Sequence, residues 1–375
     1  MGMDWILFFS ALLISLAGLV TMNSFQVSEM QSLGQSYYFN RQIIWLSITI
    51  GVFFVASMID WRFLRRTSVI VWLYLLSCGM LGLLFVVGHA AKGAQSWFNF
   101  GGFSFQPSDP IKIVLILLLA KYFSRRHVEI RHIRHLIVSG AYAFVLCFLV
   151  LIEPDFGSSI ILFAVWFGMV LVSGISKKHL LAVILIGTLT FATMWVFVFK
   201  PYQKQRILTF VHPLADTRGA GYNAYQSTIA VGSGRILGKG IGYGTQSKLQ
   251  FLPEFETDFI FAAFAEEWGF VGVTLIFILY GLLLWRILAN ARLGASNFET
   301  LFGLGLAILF MVHIIIHVGM NIGLLPVTGT TIPFMSYGGS HLIGEYLGLG
   351  ILMGMRRYNR SASREMLGNE MLGVH

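Results

Sequence analysis

The chain of 375 residues is 56% hydrophobic and only 11% charged, where a soluble domain carries about 25% charged residues. That excludes an ordinary water-soluble enzyme and makes lipid the solvent for most of the chain. The formal net charge of +9 would suit a nucleic-acid binder in a soluble protein, so its placement along the chain has to be settled first.

Apolar runs of membrane-crossing character recur about ten times, which predicts an all-α, polytopic membrane protein forming one domain over 1–375. The first run, 5 to 23, follows Met-Gly-Met-Asp with neither a basic segment nor a cleavage site, and is expected to be retained. The next two span 43 to 59 and 68 to 88, with Arg62, Arg65 and Arg66 between them. The loop after them, 89 to 110, is rich in aromatic residues: Trp97, Phe98, Phe100, Phe103 and Phe105. It reads as an interfacial aromatic belt or as a functional loop. Asp109 and Lys112 then stand three apart at the start of the fourth span, 111 to 124, close enough to pair on a helix, with Pro110 limiting how early that helix begins.

Lys121, Arg125, Arg126, Arg131 and Arg134 separate this span from the fifth, 136 to 152. Glu153-Pro154-Asp155-Phe156-Gly157 is a short turn into the sixth, 158 to 174. Its two carboxylates could orient a sugar hydroxyl, hold a cation or merely be solvated. Lys177 and Lys178 precede the seventh span, 180 to 199. The two cysteines, Cys78 and Cys147, each fall inside an apolar run and suggest neither a disulfide nor a metal site.

The longest connection, about 200 to 258, is where function is expected. It opens with Lys200, Lys204 and Arg206 among apolar residues, as in a segment lying on a membrane surface, and continues past Asp216 and Arg218. Six glycines crowd 232 to 244, and Gly238-Lys239 resembles the end of a nucleotide-binding P-loop. Ser233 and Gly240 break that motif. A tight irregular loop is expected, with a backbone nest for pyrophosphate as the sharper alternative. Thr257-Asp258 then opens the eighth span, 259 to 285. An acid at a helix start complements the dipole, but Glu266 and Glu267, about 12 Å deeper, imply a polar cavity and a basic partner.

The ninth span, 301 to 325, carries His313 and His317 four apart. Polar contact between helices is the expected reading, ahead of metal ligation. The tenth, 341 to 355, ends in Arg356, Arg357, Arg360 and Arg364. With ten spans these bases share one side with Arg286, Arg292 and the basic loops above, whereas the short loops opposite hold only Arg41 and Lys92. Both ends are therefore expected in the cytoplasm, and the net charge reflects topology, not nucleic-acid binding. Glu29, Asp109, Glu153, Asp155, Asp216, Glu254, Glu256 and Asp258 fall in or beside the outward connections, so chemistry is expected on the outer face.

Taken in order, several segments resemble the shape, elongation, division and sporulation family of integral membrane glycosyltransferases, its elongation members more than its division members. The earlier ones are Phe105-Gln106-Pro107-Ser108-Asp109 with Lys112, Pro154-Asp155-Phe156-Gly157, Gly221-Tyr222, Gln226-Ser227, Ile229-Ala230-Val231-Gly232-Ser233-Gly234 and Gly244-Thr245-Gln246. The later ones are Phe251-Leu252-Pro253-Glu254, Thr257-Asp258-Phe259-Ile260-Phe261, Leu325-Pro326-Val327-Thr328-Gly329, Pro333-Phe334 and Ser336-Tyr337-Gly338-Gly339-Ser340. Three positions depart from the family: Asp109 where Glu is common, Glu153 where Gln is common, and Ser96 where a base often precedes the loop tryptophan.

The resemblance implies a bacterial inner-membrane polymerase that joins lipid II, the undecaprenyl pyrophosphate-linked disaccharide peptide, into β-1,4 glycan strands for elongation, beside a class B penicillin-binding transpeptidase. It points to Asp258 as the catalytic residue, a general base or else the ligand of a catalytic cation. Asp109, Lys112, Asp155, Arg206, Arg218, Lys239, Glu266, Glu267 and Ser336 are the candidate substrate-binding residues. The bases among them would offset charge on the departing pyrophosphate, with or without a divalent cation such as Mg or Mn. A lipid II flippase and a non-catalytic scaffold for the transpeptidase are the competing readings, since a polar cavity among helices serves transport equally well.

Overall fold

The computed structural model describes residues 3–24, 32–87, 89–91, 94–100, 103–124, 133–197, 199, 201–211, 221–249, 251–252 and 254–371. In chain order the helices are α1 (Trp5–Ser24), α2 (Ser32–Met58), α3 (Thr67–Val87), α4 (Ser108–Ser124), α5 (Ile133–Ile152), α6 (Phe156–Val172), α7 (Lys177–Phe197), α8 (Pro201–Val211), α9 (Tyr222–Ser233), α10 (Thr245–Lys248), α11 (Ile260–Arg292), α12 (Asn297–Asn321) and α13 (Gly339–Met371). Each of the ten apolar runs is a helix. Among the described residues, seven helices are long and apolar enough to cross a membrane: α1, α2, α3, α5, α7, α11 and α12. The shorter α6 and the more polar α4 and α13 complete the set.

Three boundaries differ from expectation for local reasons. Helix α4 begins at Ser108, because Pro110 falls in its first turn, where its missing N–H has no partner to lose. The aromatic loop is not a plain belt. Its strands β1 (His89–Ala91), β2 (Ala94–Phe100) and β3 (Phe103–Phe105) form a small antiparallel sheet in which Phe98 faces Phe105 and Phe100 faces Phe103. Alternation of large aromatic residues favours strand over helix there. Helix α13 runs on past 355, the expected end of the tenth span, to Met371.

Helix α12 is the axis of the bundle, packed against α4, α6, α11 and α13, while α2 runs along α13 and α1 along α11. Accordingly 61% of the α12 apolar window is buried, against 6% for α7, which stands at the periphery with its leucines facing outward. At the end holding the basic loops, Asp4 caps α1 through the Leu7 N–H (3.2 Å). Its other oxygen receives Arg286 (2.5 Å), Asn290 (2.8 Å) and Arg356 (3.2 Å), tying α1, α11 and α13 together. Arg65 pairs with Glu299 at the foot of α12.

Candidate functional site

At the opposite end, the chain enters α11 through a tight turn. The Glu254 carbonyl accepts from the N–H groups of Thr257 (3.2 Å), Asp258 (3.1 Å) and Phe259 (3.2 Å), leaving Asp258 half-buried two residues before the helix. Asn321, fully buried at the end of α12, holds this turn. Its Nδ2 donates to the Asp258 carbonyl (3.0 Å) and its Oδ1 accepts the Ala262 N–H (3.1 Å), one of the donors that a helix start leaves without an internal partner. Ser227 of α9 donates to the Asn321 carbonyl (2.8 Å). Ser336 donates to the Thr257 carbonyl (2.9 Å) and the Tyr337 N–H to that of Glu256 (2.9 Å). Ser336 is therefore a positioning residue, and the Asp258 carboxylate is presented from a backbone clamped on both sides.

The carboxylate faces the segment 325–330. A Cβ placed on Gly329, whose φ is +73°, would lie 3.5 Å from Asp258 Oδ2. The turn at Asp155 packs on the same segment, since a Cβ on Gly157 would come within 2.8 Å of the Thr328 carbonyl. Asp155 caps α6 through the Ser158 N–H (3.0 Å) and accepts from Gln106 (2.9 Å), which joins the loop before α4 to this rim. Exposed Arg206 of α8 lines a cavity of about 20 Å³ with Pro154, Phe156, Gln203, Pro326 and Thr328. Asp258, Asp155 and Arg206 thus meet around one segment. Arg218, with Lys200 and Asp216, lies outside the described residues.

Glu153 is 2% exposed, so the solvated reading of its carboxylate is wrong. Burial, with Asp155 nearby, pushes its carboxyl up to about 8 from an ordinary value of 4.5. The folded chain therefore binds more protons than the unfolded chain between those values, and stability falls as pH rises through that window. We expect the thermal midpoint to drop between about pH 5 and about pH 9 and Glu153→Gln to flatten that dependence, read by thermal unfolding in detergent; an equal slope in the variant would refute it.

Deeper in the bundle, Lys112 and Asp109 do pair (3.0 Å), but both are buried, 4% and 8% exposed. Asp109 also accepts from Ser340 (2.8 Å) and lies 3.6 Å from His341, whose other nitrogen is 2.8 Å from Glu345. Glu345 in turn accepts the Phe334 N–H (2.7 Å). The pair thus meets α13, where Glu345 ties the network to the segment carrying Ser336. His313 and His317 make polar contacts, but with the connection between α12 and α13 instead of the expected neighbouring helix: each has Nδ1 near a threonine carbonyl, Thr331 (3.1 Å) and Thr330 (2.7 Å).

Glu266 has the basic partner its depth demanded, Lys239 Nζ at 2.7 Å, and also accepts from Thr245 (3.1 Å) and the Gln246 N–H (3.2 Å). Glu267 accepts the Gly242 N–H (2.7 Å). Both carboxylates hold the glycine-rich loop onto α11 and are buried, so the arrangement explains the expense of these charges without an open cavity at that depth. The glycines serve close approach: a Cβ on Gly238 would sit 2.0 Å from the Glu267 carbonyl. That is the tight-loop reading, not the pyrophosphate nest.

Sequence reasoning missed Asn321, Ser340, His341 and Glu345. The signal for His341 and Glu345 was present, since they stand four apart on one helix face like His313 and His317. Asn321 carried none beyond its place just before the Leu325-Pro326 motif. Among the described residues no group of three His, Cys, Asp or Glu side chains is placed to hold a metal ion, so a divalent cation would need substrate oxygens to complete its shell.

Comparison with known proteins agrees with this architecture. A solved chain from a peptidoglycan synthase complex that coordinates polymerization and crosslinking superposes with a TM-score of 0.78 at 29% identity, covering 95% of this chain and 98% of that one. Rod shape determining protein RodA of Thermus thermophilus gives 0.70 at 28% identity, covering 95% and 97%. Among curated relatives, "Probable peptidoglycan glycosyltransferase FtsW" of Thiomicrospira cyclica is 34% identical over 94% of this chain and 91% of its own length. "Peptidoglycan glycosyltransferase MrdB" of Escherichia coli K12 is 36% identical over 79% of this chain and 80% of its own. The family model described as "Cell cycle protein", covering FtsW, RodA and SpoVE, matches residues 4–361, and the chain belongs to that family.

Proposed function

We propose that this chain is a peptidoglycan glycosyltransferase of the bacterial cytoplasmic membrane that polymerises lipid II into β-1,4-linked glycan on the extracytoplasmic face, serving elongation and cell shape. The observation that supports the reading best is the Asp258 carboxylate, carried on a backbone that Asn321 and Ser336 hold through the Asp258 and Thr257 carbonyls, and turned toward the segment on which Asp155 and Arg206 converge. Asp258 takes the proton of the acceptor hydroxyl as that oxygen bonds to the donor sugar, and the bond from the sugar to the pyrophosphate breaks. Arg206 shares a cavity with Pro326 and Thr328 of the segment that Asp258 faces, and it offsets the charge gathering on the leaving pyrophosphate. Arg218 is a further candidate. Lys239 is already paired with Glu266 and positions the loop. A bound Mg or Mn ion would be held by Asp258 together with the pyrophosphate oxygens and would neutralise the leaving group.

The class B transpeptidase partner draws support from the synthase complex whose chain this one resembles. Labelled lipid II given to the purified protein with that partner tests the function: polymer supports the proposal, whereas lipid translocation without polymer, or neither, would replace it with transport or scaffolding. The extracytoplasmic placement has its own check. Cytoplasm-active reporters fused after Arg126 and Arg364 should be active and one near Gly244 silent, and labelling of Gly244→Cys from the cytoplasmic side alone would invert the topology.

A further inference from the structure

The glycine-rich loop raises a question that the site does not answer: its largest side chains point away from the protein. Ile236 is 67% exposed and Leu237 80%, next to Phe270 at 68% and Val271 at 44% on α11. In water such a patch would be costly.

Its depth follows from two helices. Asp4 and Arg286 join at the cytoplasmic end of the bundle. Along α1, from 4 to 24, the chain rises about 30 Å, and along α11, from 286 back to 269, about 25 Å. The two measures agree, because Gly242 sits against the Ser24 carbonyl and donates to Glu267, so the outer end of α1, the loop and residue 267 share one level. A hydrocarbon core is about 30 Å thick. Ile236 and Leu237, bonded beside Phe270 and Val271, therefore lie on the lipid side of that boundary and continue the outward apolar face of α11, where Leu275 and Ile278 are also exposed.

Irregular backbone survives at such depth only if every polar group is satisfied by protein. The kink in α11 at Gly269 (φ +63°) supplies partners for four of the backbone groups there. Above it the Glu266 and Glu267 carbonyls accept the Lys239 and Gly240 N–H groups, each at 3.0 Å. Below it the Phe270 and Val271 N–H groups donate to the Arg235 (2.9 Å) and Ile236 (3.0 Å) carbonyls, and Gly238 donates to Gly234 (2.8 Å). Of the two bases in this stretch, Lys239 is neutralised by Glu266, and Arg235 is exposed, on a side chain long enough to carry its guanidinium out to the lipid headgroups. We infer that residues 235–242 form a re-entrant loop whose Ile236 and Leu237 side chains insert among the acyl chains of the outer leaflet, anchoring the start of α11, and with it Asp258, to the membrane surface.

The test places a fluorophore on Leu237→Cys, in a chain with Cys78→Ala and Cys147→Ala, reconstituted in phosphatidylcholine vesicles. Lipids carrying a nitroxide on the acyl chain should quench it several-fold more strongly than aqueous iodide, whereas the same label on Tyr243→Cys, at the level of the boundary, should respond to iodide. Quenching of position 237 by iodide without acyl quenching would place the loop in water. Protection from both quenchers would mean that protein, such as a second copy of the chain, covers it. Either outcome overturns the proposal, and neither depends on the chain's enzymatic activity.

Discussion

Asp258→Asn should reduce glycan polymerisation from lipid II by a factor of about 10² to 10⁴, the usual worth of a positioned general base. The substitution keeps the side-chain shape and leaves every backbone bond of the turn in place, including that from Asn321 to the Asp258 carbonyl and that from Ser336 to Thr257. Membrane insertion, thermal midpoint and transpeptidase binding should therefore stay near wild type, which separates loss of chemistry from loss of fold. Half-buried Asp258 also sits where the N-terminal dipole of α11 favours an ionised carboxylate, a contribution of about 0.3–1 kcal/mol that asparagine would forgo with little effect on folding. Substantial polymer from a well-folded Asp258→Asn protein would thus reduce Asp258 to a helix-start residue.

The largest expected effect on stability lies elsewhere, in the buried network of α4 and α13. Lys112→Ala removes the ammonium 3.0 Å from Asp109 and leaves that carboxylate with Ser340 and His341. Stranding one member of a buried ion pair costs about 3–5 kcal/mol, since the remaining charge keeps its desolvation penalty and loses its compensation. Thermal unfolding in detergent should show a clear drop in midpoint. Combining it with Asp109→Asn should recover part of that loss, because no charge is then stranded. Additive losses in the double variant would mean that the two residues act separately. Since Glu345, 2.8 Å from His341, also accepts from the backbone of Phe334, two residues before Ser336, activity should fall with stability.

The number and order of the apolar helices were legible in the chain because hydropathy is additive along a segment and needs no knowledge of neighbours. The expected sidedness rests on the basic loops for the same reason, and the need of Glu266 for a base followed from the cost of a lone charge at depth. Which base it would be was not legible among Lys112, Lys239 and the arginines, and neither was the burial of Lys112 itself. Those outcomes depend on how helices pack. Asn321 reaches Asp258 across 63 residues of sequence and Ser340 reaches Asp109 across 231, contacts with no local periodicity to announce them. The sequence by itself determined a membrane-spanning helical bundle with acidic residues gathered at the end away from its basic loops. Only the tertiary structure decided that Asp258 is presented at that end while Lys112, Glu266 and Glu267 brace the frame around it, because the depth at which each helix meets the next sets whether a charged group faces the surface or another helix.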